Sequence, residues 1–171
     1  MRRKTLDFVK ERFGAADIVG AEVGVSTGWN ALNILQNMPN VRLLYLVDPY
    51  LENMEYGLHK QPAKSRLAAF NNRTCWVYKK FENCTVKDVP EPLDFVYIDG
   101  DHHYKHVRKD IALARVFVKK GGVVGGHDMG ALGVDRAVKE LGIPFAVAGN
   151  EPYKDYERKK MQGWDWWLIN D

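Results

Sequence analysis

Cysteine is nearly absent from this chain: Cys75 and Cys84 are the two in 171 residues, and neither stands in a C-x-x-C or metal-ligand spacing. A thiolate metal site is therefore not expected, and two free thiols fit a reducing compartment. Long hydrophobic runs are also missing. The longest, such as Ile18 to Val25, fall far short of the roughly 20 residues that a bilayer span requires. Met1-Arg2-Arg3-Lys4 leads into a polar, amphipathic stretch without the apolar segment of a secretion signal, which places the chain in the cytoplasm with no membrane partner. An excess of one charge is lacking too. The net charge is +3, with acids and bases interspersed, so nothing demands nucleic acid as a partner. The densest basic stretches, 2–4, 105–109 and 158–160, read as solvated faces.

With 46% hydrophobic and 27% charged residues, the composition is that of an ordinary globular protein. A chain of 171 residues fits a single domain, spanning 1–171, since one core usually serves about 100 to 200 residues. Short apolar runs alternate with helix-period segments, the pattern of βαβ units and a mostly parallel sheet. Strands are predicted over Ile18–Val25, Arg42–Val47, Cys75–Tyr78, Asp94–Ile98, Val123–Gly126, Phe145–Ala148 and Trp166–Ile169. Helices are predicted around Leu6–Phe13, from Trp29, over Ala63–Phe70, through Val107, Ile111, Ala114 and Val118, and through Val134–Leu141. Lys119-Lys120-Gly121-Gly122 reads as the closing signal of the fourth helix, combining positive charge with glycine. Only a polar stretch joins the last two strands, so they are expected to be antiparallel.

Glu22-Val23-Gly24-Val25-Ser26-Thr27-Gly28 lies where the first strand turns into a helix, the position at which open α/β sheets bind ligands. Glycines at 24 and 28 permit positive φ and close approach of a ligand to the backbone. Asp48 follows the second strand, 20 residues beyond Gly28, where its carboxylate can accept hydrogen bonds from ribose hydroxyls. The loop lacks the G-x-G opening of a dinucleotide fingerprint.

Two further clusters leave the ends of neighbouring strands: Asp99-Gly100-Asp101-His102-His103-Tyr104 and Gly125-Gly126-His127-Asp128. Carboxylate oxygens with an imidazole suit Mg²⁺ or Mn²⁺, and such an ion lowers the pKa of a bound hydroxyl; helix capping is the simpler role for the same residues. Trp29, Tyr50, Tyr56, Tyr153 and Tyr156 are candidates for an acceptor pocket, whereas Trp164, Trp166 and Trp167 read as core.

The Glu-x-Gly-x-x-x-Gly motif followed by Asp48 resembles the cofactor motif of class I S-adenosylmethionine-dependent methyltransferases, over nearly the whole chain. That resemblance implies a doubly wound, mostly parallel, seven-stranded Rossmann-like α/β sheet with an antiparallel last strand. It implies a cofactor site of Glu22, Gly24, Val25, Ser26, Thr27, Gly28, Asp48, Pro49 and Asp99, with Glu82 near the adenine. The pair Asp99-Gly100-Asp101-His102 and Gly126-His127-Asp128 is similar to the branch containing macrolide-sugar O-methyltransferases and cephalosporin-hydroxylase-like enzymes. It implies metal ligation by Asp99, His127 and Asp128, where His127 replaces the acid usual in that branch, and His102 as the base. Asp99, His102 and His127 are thus the catalytic candidates, acting on a hydroxyl of a small-molecule acceptor. The competing readings are a macromolecular acceptor and a cofactor-binding module without activity. No Asn-Pro-Pro-Tyr-type amino-methylation motif follows the fourth strand.

Overall fold

The computed structural model describes residues 3–51, 55–149 and 164–171. Helix α1 (Lys4–Phe13) precedes β1 (Ile18–Val23), whose six residues are all buried. Helix α2 (Trp29–Asn37) leads to β2 (Val41–Val47), and α3 (Lys60–Leu67), continued by a 3₁₀ segment at Ala68–Arg73, leads to β3 (Thr74–Val77). Then follow β4 (Leu93–Ile98), α4 (Tyr104–Phe117), β5 (Val118–Gly126), α5 (Leu132–Lys139), β6 (Ala146–Ala148) and β7 (Asp165–Ile169). The sheet order is β3-β2-β1-β4-β5-β7-β6. Pairs from β3 through β5 are parallel, and β7 runs antiparallel to both its neighbours.

Both faces of this sheet are covered, which is why β1 and β4 carry no polar alternation. On one face α1, α2 and α3 bury Leu6, Val9, Ile34, Leu35 and Leu67 against Phe95 and Tyr97. On the other, α4 and α5 bury Val107, Ile111, Ala114, Val134 and Val138 against Val96 and Val124. The doubly wound α/β architecture predicted from the alternating pattern is the one observed.

Three local expectations are corrected. The first strand stops at Val23 rather than Val25, because Gly24 takes φ +86 and breaks the extended run. The third helix runs over Lys60–Leu67 and tightens into the 3₁₀ segment where it was expected to continue to Phe70. Lys119-Lys120-Gly121-Gly122 does not close α4 but lies in β5. Asn170 explains this: its side-chain amide donates to the carbonyls of Arg115 (3.0 Å) and Val118 (2.7 Å), supplying the helix end from more than 50 residues away. Lys119 instead reaches the buried strand residue Asp94 at 2.9 Å.

At the carboxyl ends of the parallel strands each departing residue donates its amide to the last carbonyl of a neighbour. Gly24 bonds Val47 (2.9 Å), Asp48 bonds Val77 (3.1 Å), Asp99 bonds Val23 (2.7 Å) and His127 bonds Ile98 (3.0 Å). Gly24 is tightly enclosed there, since a Cβ at that position would fall on the Asp99 carbonyl, whereas a Cβ at Gly100 would meet nothing nearer than Val23 Cγ1 at 3.7 Å. Gly24→Ala is expected to cost about 2–5 kcal/mol through strained φ and overpacking, and Gly100→Ala far less. Urea denaturation of the two variants checks this; equal midpoints would contradict it.

Candidate active site

The loop after β1 is shaped by Asp48. Its Oδ2 accepts hydrogen bonds from the amides of Val25 (3.0 Å) and Ser26 (2.9 Å), and its Oδ1 from that of Tyr50 (2.9 Å). Tyr50, expected in an acceptor pocket, is buried and donates its hydroxyl to the Ser26 carbonyl at 2.7 Å, so it braces the loop while also lining the cleft above the strand ends. Ser26 Oγ lies 3.0 Å from His59 Nδ1, and Arg66 donates to the Thr27 carbonyl. Gly28, left-handed at φ +79, starts α2. Glu22, at the end of β1, accepts a bond from Asn30 on Oε1 (2.9 Å) and keeps Oε2 buried without a partner. Burial pushes its carboxyl up to about 8.

A cleft of about 790 Å³ opens above these strand ends. Gly24, Ser26, Asp48, Pro49, Glu82 and Asp99 line it, together with Phe81, Asp101, His102, His106 and Asp110. Val25 is buried beneath the loop. The wall carries the carboxyls of Asp48, Glu82, Asp99, Asp101 and Asp110 beside Lys80 and the histidines, an excess of acid that favours a ligand carrying positive charge.

Two of the lining residues, Asp99 and His102, form a compact group with Asp128 in which one ligand atom from each lies within 4.8 Å of the others. His102 Nε2 is 3.0 Å from Asp128 Oδ2 and 3.9 Å from Asp99 Oδ1. Asp128 reaches this place by adopting φ +55 after β5. His127 sits behind the group, with Nδ1 3.1 Å from Asp128 Oδ1 and 3.9 Å from Asp99, and Nε2 4.0 Å from Asp165. His102 and His127 thus stand about equally near the two carboxylates, and His127 also links the group to the buried Asp165 of β7. Asp165 in turn accepts bonds from the Thr5 amide (2.9 Å) and the Tyr97 hydroxyl (3.1 Å).

Sequence reading missed three participants. Arg3, taken for a solvated base, lies largely buried with Nη2 3.4 Å from Asp99 Oδ2. Asp165 and Asp110 carried no motif at all. His103, exposed at the start of α4 without a side-chain capping bond, and His106 both line the cleft, and His106 lies 3.5 Å from Glu82 Oε2, whose other partner is Lys109 at 2.8 Å. Trp29 stands outside the cleft, exposed and stacked beneath the Arg66 guanidinium at 3.8 Å. Trp166 is core, and Trp167 stacks on Phe8. The side chain of Tyr56, and Tyr153, Tyr156 and the basic run 158–160, lie outside the described residues.

Comparison with known proteins matches residues 21–129 to the family model described as a methyltransferase domain. Protein R132 of Acanthamoeba polyphaga mimivirus, itself named as uncharacterized, is 26% identical over 122 residues, 70% of this chain; the chain spans about half (55%) of that relative's length. An rRNA methylase from Streptococcus thermophilus superimposes with a TM-score of 0.67 at 15% identity, over 98% of this chain and 94% of that one. An O-methyltransferase from Bacillus cereus, in complex with SAH, gives 0.65 at 14% identity, over 99% and 82%. At these identities the structures establish the shared fold.

The Asp128 carboxylate at 3.0 Å first, and the Asp99 carboxylate at 3.9 Å second, push the His102 imidazole up to about 10. Its folded value is therefore above its unfolded one, so the pair's stabilisation is whole below pH of about 6.5 and fades as pH rises toward 10. In metal-free protein, NMR should find the His102 ring still protonated at pH 8, and Asp128→Asn should move its titration back toward 6.5. Wild-type titration near 6.5 would contradict the pairing.

Proposed function

This chain belongs to the methyltransferase-domain family, and on that premise we propose that it is a single-domain, S-adenosylmethionine-dependent enzyme that methylates a hydroxyl of a small molecule with the help of Mg²⁺ or Mn²⁺. The observation that carries the reading is one cleft lined both by the Asp48-braced loop and by Asp99 and His102, which form a compact group with Asp128. The cofactor is a cation at sulfur and at its amino group. The acid-lined wall fits such a ligand, and Glu22, buried behind the loop with Oε2 unpartnered, is a carboxyl that a nearby cation would favour in its ionised form. Gly24, Ser26, Asp48, Pro49, Glu82 and Asp99 would contact it directly, while Val25, Thr27 and Gly28 shape the loop. Two amides fill Asp48 Oδ2 and one occupies Oδ1, which leaves a lone pair on Oδ1 to accept a ribose hydroxyl.

Asp99 and Asp128 are the anionic ligands for a hard divalent ion, and His102 and His127 are the imidazoles within reach of it. When bound, the ion supplies an anchor for the acceptor oxygen and lowers the pKa of its hydroxyl. The carboxylates that now hold His102 as an imidazolium would then be engaged elsewhere, leaving its ring neutral and able to take the acceptor's proton. Arg3 and His127 fix the far oxygens of Asp99 and Asp128, holding the group in place for an in-line methyl transfer. Two free thiols, Cys75 and Cys84, accord with a cytoplasmic setting, and no helix among the described residues is long and apolar enough to cross a membrane.

A second reading, an RNA acceptor, is favoured by the likeness to an rRNA methylase and by two cation–aromatic stacks, Arg66 on Trp29 and Lys60 on Tyr78. Against it stand the even charge balance and the acidic cleft.

Calorimetry with S-adenosylhomocysteine tests the cofactor site. Asp48→Ala should weaken binding by about one to two decades, the cost of a charge-assisted hydrogen bond, whereas tight NAD binding with no binding of the sulfur ligand would overturn the assignment. Transfer of labelled methyl into metabolite extract should stop with chelator and return with Mg²⁺ or Mn²⁺, and Asp128→Asn should need more ion. Full activity in chelator would remove the ion from the account.

A further inference from the structure

We propose that Asp110 reads the purine of the cofactor, its carboxyl pairing with the N6 amino group and N1 of adenine. The inference rests on the cofactor reading above. Asp110 lies on the buried stripe of α4 with Val107, Ile111 and Ala114, where a carboxyl has no structural reason to be. It is 6% exposed, it lines the cleft, and it makes no hydrogen bond or ion pair among the described residues. A buried acid left unpaired costs stability, and a partner that arrives from the cleft accounts for its retention.

The direction of the ligand follows from the reaction. If the methyl group faces Asp99 and Asp128, the purine falls to the opposite part of the cleft, lined by Phe81, Glu82 and Asp110. Glu82 is already held as a carboxylate by Lys109 and His106, and a carboxylate only accepts. Asp110 differs. The groups around it are Glu82 and Lys80 from the turn after β3, Asp101 from the β4–α4 loop, and Lys109 from its own helix. Burial, reinforced by Glu82 and Asp101, pushes its carboxyl up to about 7. The neutral acid offers one donor beside one acceptor, the complement of adenine N1 and N6.

The test measures S-adenosylhomocysteine and its 1-deaza and 3-deaza analogues on the whole protein by calorimetry. Wild type should lose about tenfold or more toward the 1-deaza ligand, which lacks the N1 acceptor, and not toward the 3-deaza ligand. Asp110→Leu should bind the parent ligand about tenfold to a hundredfold more weakly and lose its discrimination against the 1-deaza analogue, with a thermal midpoint unchanged or raised. Asp110→Asn presents the same donor and acceptor at every pH. It should bind like wild type at pH 6.5 and better than wild type at pH 8.5, which also serves if the leucine variant fails to fold. Equal affinity and equal 1-deaza discrimination in wild type and Asp110→Leu, or an Asp110→Asn pH profile identical to wild type, would overturn the inference while leaving the cofactor reading intact. Absence of S-adenosylhomocysteine binding to wild type would overturn both.

Discussion

The site depends on one backbone arrangement, the row of amides at the carboxyl edge of the parallel strands. Gly24, Asp48, Asp99 and His127 are each the first residue past their strand, and each amide is anchored to the last carbonyl of the strand beside it. The anchoring satisfies groups that would otherwise be stranded at a buried sheet edge. It also fixes the start of four loops in the order β2-β1-β4-β5, so they leave one edge of the sheet side by side although 103 positions separate Gly24 from His127. The left-handed turns at Gly24, Ser26 and Asp128 are the local consequence, because the chain must leave the edge sharply to make room for the next strand's loop.

Such an edge concentrates carboxylates, and the electrostatics of the molecule are largely the management of that concentration. Arg3 answers Asp99, His102 and His127 answer Asp128, and Lys109 answers Glu82. Glu22 and Asp110 have no such answer, and burial raises both. Like charges gathered in a partly buried cleft destabilise the empty protein and are relieved by a cation. The same imbalance therefore explains the affinity expected for a sulfonium ligand, the suitability of Asp99 and Asp128 for a divalent ion, and the protonated state of His102 without one.

Most of the scaffold was legible because apolar period and strand length report burial directly: the two-sided burial of β1 and β4 shows as runs that are apolar but for one acid each, Glu22 and Asp94, and α4 shows as Val107, Ile111 and Ala114. The glycine loop, Asp48 and the Asp99 and Asp128 clusters were legible because they sit at fixed offsets from those strands. What escaped depends on contacts between distant segments. Asn170 ends α4 in place of the glycine signal at 121–122, Arg3 crosses to Asp99, and Asp165 meets His127 from the last strand. A basic triplet, a lone Asp in a helical stripe and an Asp before three aromatic or apolar residues have no local mark of those partners. His102 and His127 illustrate the same limit: both were named from their strands, and only their packing shows that both reach the two carboxylates, with His127 largely buried beside Asp165 and His102 open to the cleft.

The central claim is that the cofactor and a divalent ion share this cleft, with the sulfur facing Asp99 and Asp128. A crystal structure with S-adenosylhomocysteine and Mn²⁺, using the anomalous signal of manganese, tests it most directly. The account predicts a manganese peak bound by Asp99 and Asp128, the ribose on Asp48, and the sulfur directed toward the ion. Manganese elsewhere, or the nucleoside bound away from the loop at 24–28, would contradict it.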